Sequence, residues 1–235
     1  MAQLQRIAIN PEQIQGSLIT LGQEQQHYLI RVLRLGTGDR FIAMDGQGKW
    51  WLAQLQPEQA QVLEQLTVET ELPVTVTLMV SLPKGNGFDE VVRYCTELGV
   101  ACIAPILSNR TLLNPSPQKL QRWRRIATEA AEQSERCFIP TILDPVPFTA
   151  SITGSVATHR YICEARGDYP HLNNAINSQP GEITIATGPE GGWTEAEIAQ
   201  AIASGFQPVS LGRRILRAVT APTVAITLIS AAFHR

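Results

Sequence analysis

The period of the apolar positions changes near residue 72. Before that point the runs are short. "DRFIAMDGQGKWWLAQL" predicts two strands about the turn "DGQG", with Gly46 and Gly48 available for positive φ. The preceding "EQQHYLIRVLRLGTGD" predicts a short helix stopped by Gly36. A boundary is expected in "ETELPVTV", which gives domains 1–72 and 73–235. Beyond it, short apolar strands alternate with longer helices. "VTVTLMV" (74–80), "ACIAPIL", "RYICE", "EITIAT" and "PVSL" read as strands. "DEVVRYCTELG" reads as a helix with Val91, Val92, Cys95 and Leu98 on one face, closed by Gly99. In "SPQKLQRWRRIATEAAEQSER", Ser116 suits an N-cap and Pro117 the first helical position. Trp123, Ile126, Ala127, Ala130 and Ala131 form its buried stripe. This alternation predicts an α/β domain, a largely parallel sheet covered on both faces. Ligands of such sheets sit beyond the carboxyl ends of strands. "YICEARGD", "IATGPEGGW" and "VSLGRRILR" are therefore the loops where chemistry is expected.

Composition narrows the partners. The chain has 235 residues, 44% of them hydrophobic, and a formal net charge of −2. Residues 1–72 carry 5 Lys+Arg against 8 Asp+Glu, and residues 73–235 carry 14 against 13. Neither part is basic overall, so contact with nucleic acid has to come from local patches. Cys95, Cys102, Cys137 and Cys163 form no CxxC pair and no metal spacing. Buried, reduced thiols and no metal site are expected. His27, His159, His171 and His234 are scattered and read as structural or surface residues. The start "MAQLQRIAIN" lacks a signal-peptide core, and "PTVAITLISAAF" is too short to span a bilayer. A soluble, cytoplasmic protein with no membrane contact is expected.

The glycine loop "TGPEGGWTEAE" has Gly188, Gly191 and Gly192, whose missing Cβ atoms let a ligand approach the backbone closely. Thr194 and Glu197 have capping-box spacing, so a helix starts there. Spacing alone leaves a tight strand-to-helix turn as an equal alternative. A phosphate loop fits poorly. No GK[ST] follows, and Glu190 in mid-loop repels phosphate, so a neutral or cationic ligand suits the loop better. "SLGRRILRAVTAP" places Arg213, Arg214 and Arg217 after another strand, either solvated or facing a ligand. Arg125 and Glu129 can pair at i,i+4, which leaves Arg122 and Arg124 as candidates for phosphate contact. Lys84 in "LPKGNGFDE" and Arg110 in "SNRT" are further cations beyond strand ends. No GxSxG, HExxH or Rossmann GxGxxG pattern occurs.

"HYLIRVLR", "CTELGV", "EAAEQSER", "TGPEGGW" and "LGRRILR-x-x-TA", in this order, resemble the bacterial 16S ribosomal RNA (uracil-N3)-methyltransferases of the SPOUT class. The resemblance covers nearly the whole chain. It implies an N-terminal PUA-like β-barrel that holds RNA and a C-terminal α/β domain with a trefoil knot. It also implies a homodimer, S-adenosyl-L-methionine as cofactor, and 16S rRNA of the small ribosomal subunit as partner. Carried over, Thr187, Gly188, Pro189, Glu190 and Gly191 would line one side of the cofactor, and Leu211, Gly212, Ile215 and Leu216 the other. Arg217 or Arg110 would favour the deprotonated uracil, while Arg34, Lys84, Arg122, Arg124 and Arg214 would contact RNA. The chain departs from the family twice. Val219 stands where the family has glutamate, and Asn109 where it commonly has an acidic residue. Ribose 2′-O-methylation, a non-catalytic ribosome-associated RNA-binding role kept open by Val219, and a nucleotide-phosphate enzyme are the alternatives.

Overall fold

The computed structural model describes residues 4–111, 115–176 and 181–233, which excludes His234. Two compact units emerge, Met1–Glu71 with Ala131–Ile139, and Leu72–Ala130 with Pro140–Arg235. The segment 131–139, which the sequence reading placed within 73–235, thus belongs with the first unit.

The first unit contains β1 (Arg6–Ala8), β2 (Ile14–Gln15), β3 (Leu18–Thr20), α1 (Gln23–His27), β4 (Arg40–Met44), β5 (Trp50–Leu55) and β6 (Gln59–Leu66). The strands form one mixed sheet in the order β1-β4-β5-β6-β3-β2, with only β1 and β4 parallel. The sheet alternates as a half-barrel should. Phe41 and Ala43 face a core with Ile7, Ile19 and Leu55, while Ile42 and Met44 face Trp50, Ala131 and Cys137. Glu71 ties down the returning segment. Its carboxylate pairs with Arg136 at 2.6 Å and accepts the Cys137 N–H at 2.9 Å. The predicted stop at Gly36 comes early. The helix runs on as one π turn, Tyr28–Val32, and Arg34 then takes a left-handed φ of 59°.

The second unit contains β7 (Thr75–Ser81), α2 (Gly87–Glu97), β8 (Cys102–Leu107), α3 (Pro117–Gln133, whose last turn counts with the first unit) and β9 (Thr141–Ile142). It continues with β10 (Val146–Pro147), α4 (Phe148–Thr153), β11 (His159–Cys163), α5 (Leu172–Ala175), β12 (Glu182–Thr187), α6 (Glu195–Ala203), β13 (Gln207–Val209) and α7 (Thr220–Phe233). The strand order is β10-β8-β7-β12-β11-β13, with β9 also on β8, and every pairing is parallel. Met79, Ile106, Ile162 and Ala186 pack on one face against Phe148 and Ile152 of α4 and Ala201 of α6. α7 lies against β7, β12 and α2. The stripe expected on α3, Trp123 to Ala131, is buried, and the Ser116 hydroxyl accepts the Lys119 N–H at 3.3 Å. β9, β10 and α4 are too short to show a period in the sequence.

Candidate functional site

β12, β11 and β13 are consecutive neighbours in the sheet, so the loops beyond their carboxyl ends lie side by side. They enclose a pocket. Cys163, Glu164, Ala165 and Arg166 come from the first loop, and Gly188, Pro189, Glu190, Gly192 and Trp193 from the second. Leu211, Gly212, Arg214, Ile215, Leu216 and Ala218 come from the third, and Ala221 from the start of α7. Two residues expected in the cofactor wall lie outside it. Thr187 is buried in β12 with its hydroxyl toward the Met79 carbonyl, and Gly191 faces Arg110 instead. The wall Cys163–Arg166 and Trp193 had no assigned role from sequence. For the former, the position at the end of "YICE" was the available signal. Arg214, expected on RNA, is a pocket residue.

A Cβ on Gly188 would stand 3.1 Å from the Trp193 indole, one on Gly191 3.0 Å from Arg110 Cδ, and one on Gly192 3.2 Å from Arg166 Nη1. The missing Cβ atoms make room for the protein's own side chains, while Gly188 and Gly192 also line the pocket. Gly212 is the exception. It has φ +118°, and no atom lies within 4 Å of where a Cβ would be, so its backbone is open to close approach. Trp193 fastens the loops together. Its Nε1–H donates to the Cys163 carbonyl at 2.9 Å, and its ring packs on Phe148 at 4.9 Å between centroids. The helix behind the loop begins at the predicted capping box. Glu197 closes it, accepting from the Thr194 N–H at 2.8 Å and, with its other oxygen, from the Asn109 N–H at 2.8 Å.

Two carboxylates, Glu164 and Glu190, and two arginines, Arg166 and Arg214, line the pocket. Glu190 is anchored by the Lys84 backbone N–H at 2.9 Å. Burial, and then the charge of Glu164, push the Cys163 thiol up to about 12, so the thiol stays neutral. Ile215 is 72% exposed on the opposite side. An apolar side for a flat ring, an open glycine backbone and carboxylates near a cationic centre fit S-adenosyl-L-methionine.

The remaining cations separate. Arg110 donates to the carbonyls of Gly191 and Trp193 and so supports the glycine turn. Arg122 pairs with Asp89 and Arg124 with Asp144, each at 2.9 Å, so neither stands as a free cation. Arg125 pairs with Glu129 at 3.6 Å. Arg217 is exposed and makes no side-chain hydrogen bond or ion pair among the described residues. With Glu190, Leu216 and Val219 it lines a small adjoining cavity. Lys84 is exposed at the rim, and Arg34 is exposed in the first unit. Val219 points at the start of α2, where a Cβ on Gly87 would come 2.5 Å from its Cγ1.

Residues 70–230 match the model of an RNA methyltransferase domain, and residues 21–64 that of an RNA methyltransferase PUA domain. The chain is 51% identical to Ribosomal RNA small subunit methyltransferase E of Synechocystis, over 96% of this chain and 77% of that one. It is 30% identical to the Bacillus subtilis protein of the same name, over 88% and 87%. Among solved structures, the Neisseria gonorrhoeae Ribosomal RNA small subunit methyltransferase E bound to S-adenosyl methionine superposes with a TM-score of 0.90. That match has 30% identity and covers 97% of this chain and 98% of that one. With a family model over most of its length and a relative of this identity, the chain belongs to the RNA methyltransferase family, with a PUA domain at its N-terminus.

Proposed function

We propose that the protein transfers a methyl group from S-adenosyl-L-methionine to N3 of one uridine in the 16S rRNA of the small ribosomal subunit. The observation that carries this reading is the pocket itself, three strand-end loops whose lining suits a sulfonium cofactor. The rRNA substrate is supported by the names of the relatives in Synechocystis and Bacillus subtilis. When bound, the cofactor supplies an electrophilic methyl group; the other requirements fall to this chain. N3 of a paired base is blocked, so the target has to be unstacked and held single-stranded. N3 also carries a proton at neutral pH. A guanidinium beside the ring favours the deprotonated base, with the proton leaving to solvent; the N–C bond would then form as the methyl group's bond to the cofactor's sulfur breaks. Of Arg217 and Arg110, Arg217 is the one without a side-chain partner among the described residues. Arg110, bonded to the glycine turn, positions the cofactor wall.

The same reading includes a trefoil threading of the loops at 188–193 and 211–218, a cytoplasmic setting and a homodimer. α7 supports the dimer. Residues 220–233 include no charged side chain, and Val224, Leu228 and Phe233 stay half-exposed beside the buried Ile226 and Ile229. No helix of the described residues is long and apolar enough to cross a membrane.

The test uses labelled S-adenosyl-L-methionine with small subunits from cells lacking the enzyme, and with naked rRNA. Nucleoside mass spectrometry should find 3-methyluridine. A 2′-O-methyl nucleoside would move the activity to ribose. No transfer, with no saturable cofactor binding, would leave a non-catalytic RNA-binding protein.

A further inference from the structure

A second cavity, of about 510 Å³, adjoins the cofactor pocket and shares Glu164, Arg166 and Trp193 with it. Its far wall is the outer side of α6, where Ile202 is 51% exposed beside a half-buried Ile198. Tyr169 forms the opposite wall. Its ring lies against Gly167, where φ is +117° and a Cβ would come 2.7 Å from the ring, so the missing side chain gives the aromatic face its place. The Arg166 guanidinium leans over Gly192 and makes no hydrogen bond or ion pair among the described residues. Glu195 adds an exposed carboxylate, and one oxygen of Glu164 accepts the Arg166 N–H at 2.7 Å.

We infer that this cavity receives a second, unstacked RNA base next to the target uridine, with its phosphate toward Arg166. The inference rests on the methyltransferase reading and deepens it. Glu164 and Glu195 offset Arg110 and Arg166 in the wall, so the cavity has no net positive charge to hold a bare phosphate by itself, and the charged rim disfavours a lipid. A nucleobase satisfies every wall at once. Its π face lies on Tyr169, its apolar edge against Ile198 and Ile202, and its donors and acceptors meet the carboxylates and the guanidinium. Contiguity with the cofactor pocket places this base one step along the strand from the reacting one. Extruding two neighbours also explains how a base edge is presented without a duplex partner.

The experiment measures binding and turnover separately. Full-length Tyr169→Ala, Tyr169→Phe and Ile202→Glu proteins are titrated with unmodified small subunits by filter retention in S-adenosylhomocysteine. Cofactor affinity is measured by calorimetry. Loss of one stacking platform should weaken subunit binding on the order of ten-fold in Tyr169→Ala, with Tyr169→Phe near wild type. Ile202→Glu, at a half-exposed position, should weaken it comparably without unfolding risk. Cofactor affinity should not change. Unaltered subunit affinity in both Tyr169→Ala and Ile202→Glu overturns the inference. So does a selective loss of cofactor affinity, which would give the cavity to the cofactor's tail. Wild-type turnover, measured in parallel, tests the catalytic reading by itself, since the binding assay needs no methyl transfer.

Discussion

Arg110 and Arg217 are both arginines beyond strand ends, and they differ in what already holds them. Arg110 is bonded to two carbonyls of the glycine turn, whereas Arg217 has no partner among the described residues. Their substitutions should therefore separate in kinetics. Arg217→Ala should lower the methyl-transfer step by about 100-fold, the scale of one lost transition-state donor, with cofactor affinity unchanged. Arg110→Ala should weaken cofactor binding first, because two carbonyls of the glycine turn lose their donor and the turn loosens. Single-turnover transfer at saturating cofactor, beside calorimetric titration, distinguishes the two. Equal effects on both constants would refute the division of labour. That these arginines lie near the site was legible from the sequence. Which of them is free was not, because the atoms that engage Arg110 are backbone carbonyls, and no residue type encodes where a carbonyl points. The glycines teach the same lesson. The turn was legible, but the side chains of Trp193, Arg110 and Arg166 that fill its missing Cβ positions are brought there by tertiary packing.

At the scale of elements, α2 and α3 were legible from period, caps and Pro117, yet their connection was hidden. Asp89, in the first turn of α2, is buried and accepts from the Trp123 indole at 3.0 Å and from Arg122 Nε at 2.9 Å. The arginine read from sequence as a phosphate contact is thus the outer member of an interhelical network. A buried carboxylate cannot be seen in a periodicity that counts acids as solvent-facing. Asp89→Ala should cost about 2–3 kcal/mol, chiefly by leaving the fully buried indole N–H unsatisfied. Asp89→Asn keeps an acceptor for the indole and should cost less. Arg122→Ala removes only the half-exposed partner and should cost at most about 1 kcal/mol. Urea midpoints of the three variants give the order. A loss in Arg122→Ala as large as in Asp89→Ala would show that the ion pair, not the indole bond, joins the helices. The capping box at α6 shows the converse case. Its spacing was readable, and the structure adds the Asn109 N–H on the same carboxylate, which fastens the loop after β8 to the helix behind the pocket.

For the molecule as a whole, the change of period at residue 72 was readable, whereas the return of 131–139 to the first unit was not. That segment reads as the tail of a long helix. What draws it in is Glu71, a single carboxylate that gathers Arg136 and the N–H groups of Cys137 and Phe138. Three of the four cysteines expected to be buried are so, Cys102 being half-buried, and those of the second unit bear on its stability. Burial raises Cys95, Cys102 and Cys163 above the ordinary value of 9.0, and Cys163 reaches about 12. Above the unfolded value the unfolded chain loses these protons while the fold retains them. The native state then binds more protons, so stability must fall as pH rises. Stability should accordingly be level below about pH 8.5 and decline above it, each thiol contributing a slope of about 1.4 kcal/mol per pH unit. For Cys163 that decline should end near pH 12, where the folded thiol also ionises. Tyrosine and lysine titrate in the same range, so the measurement is a comparison. Urea unfolding of wild type and Cys163→Ala, in reductant between pH 8 and 10.5, should show the variant losing stability more slowly by one proton's worth of slope. Parallel lines would mean that the Cys163 thiol ionises in the folded pocket as readily as in the open chain, and the pocket wall next to Glu164 would then carry charge that this geometry forbids.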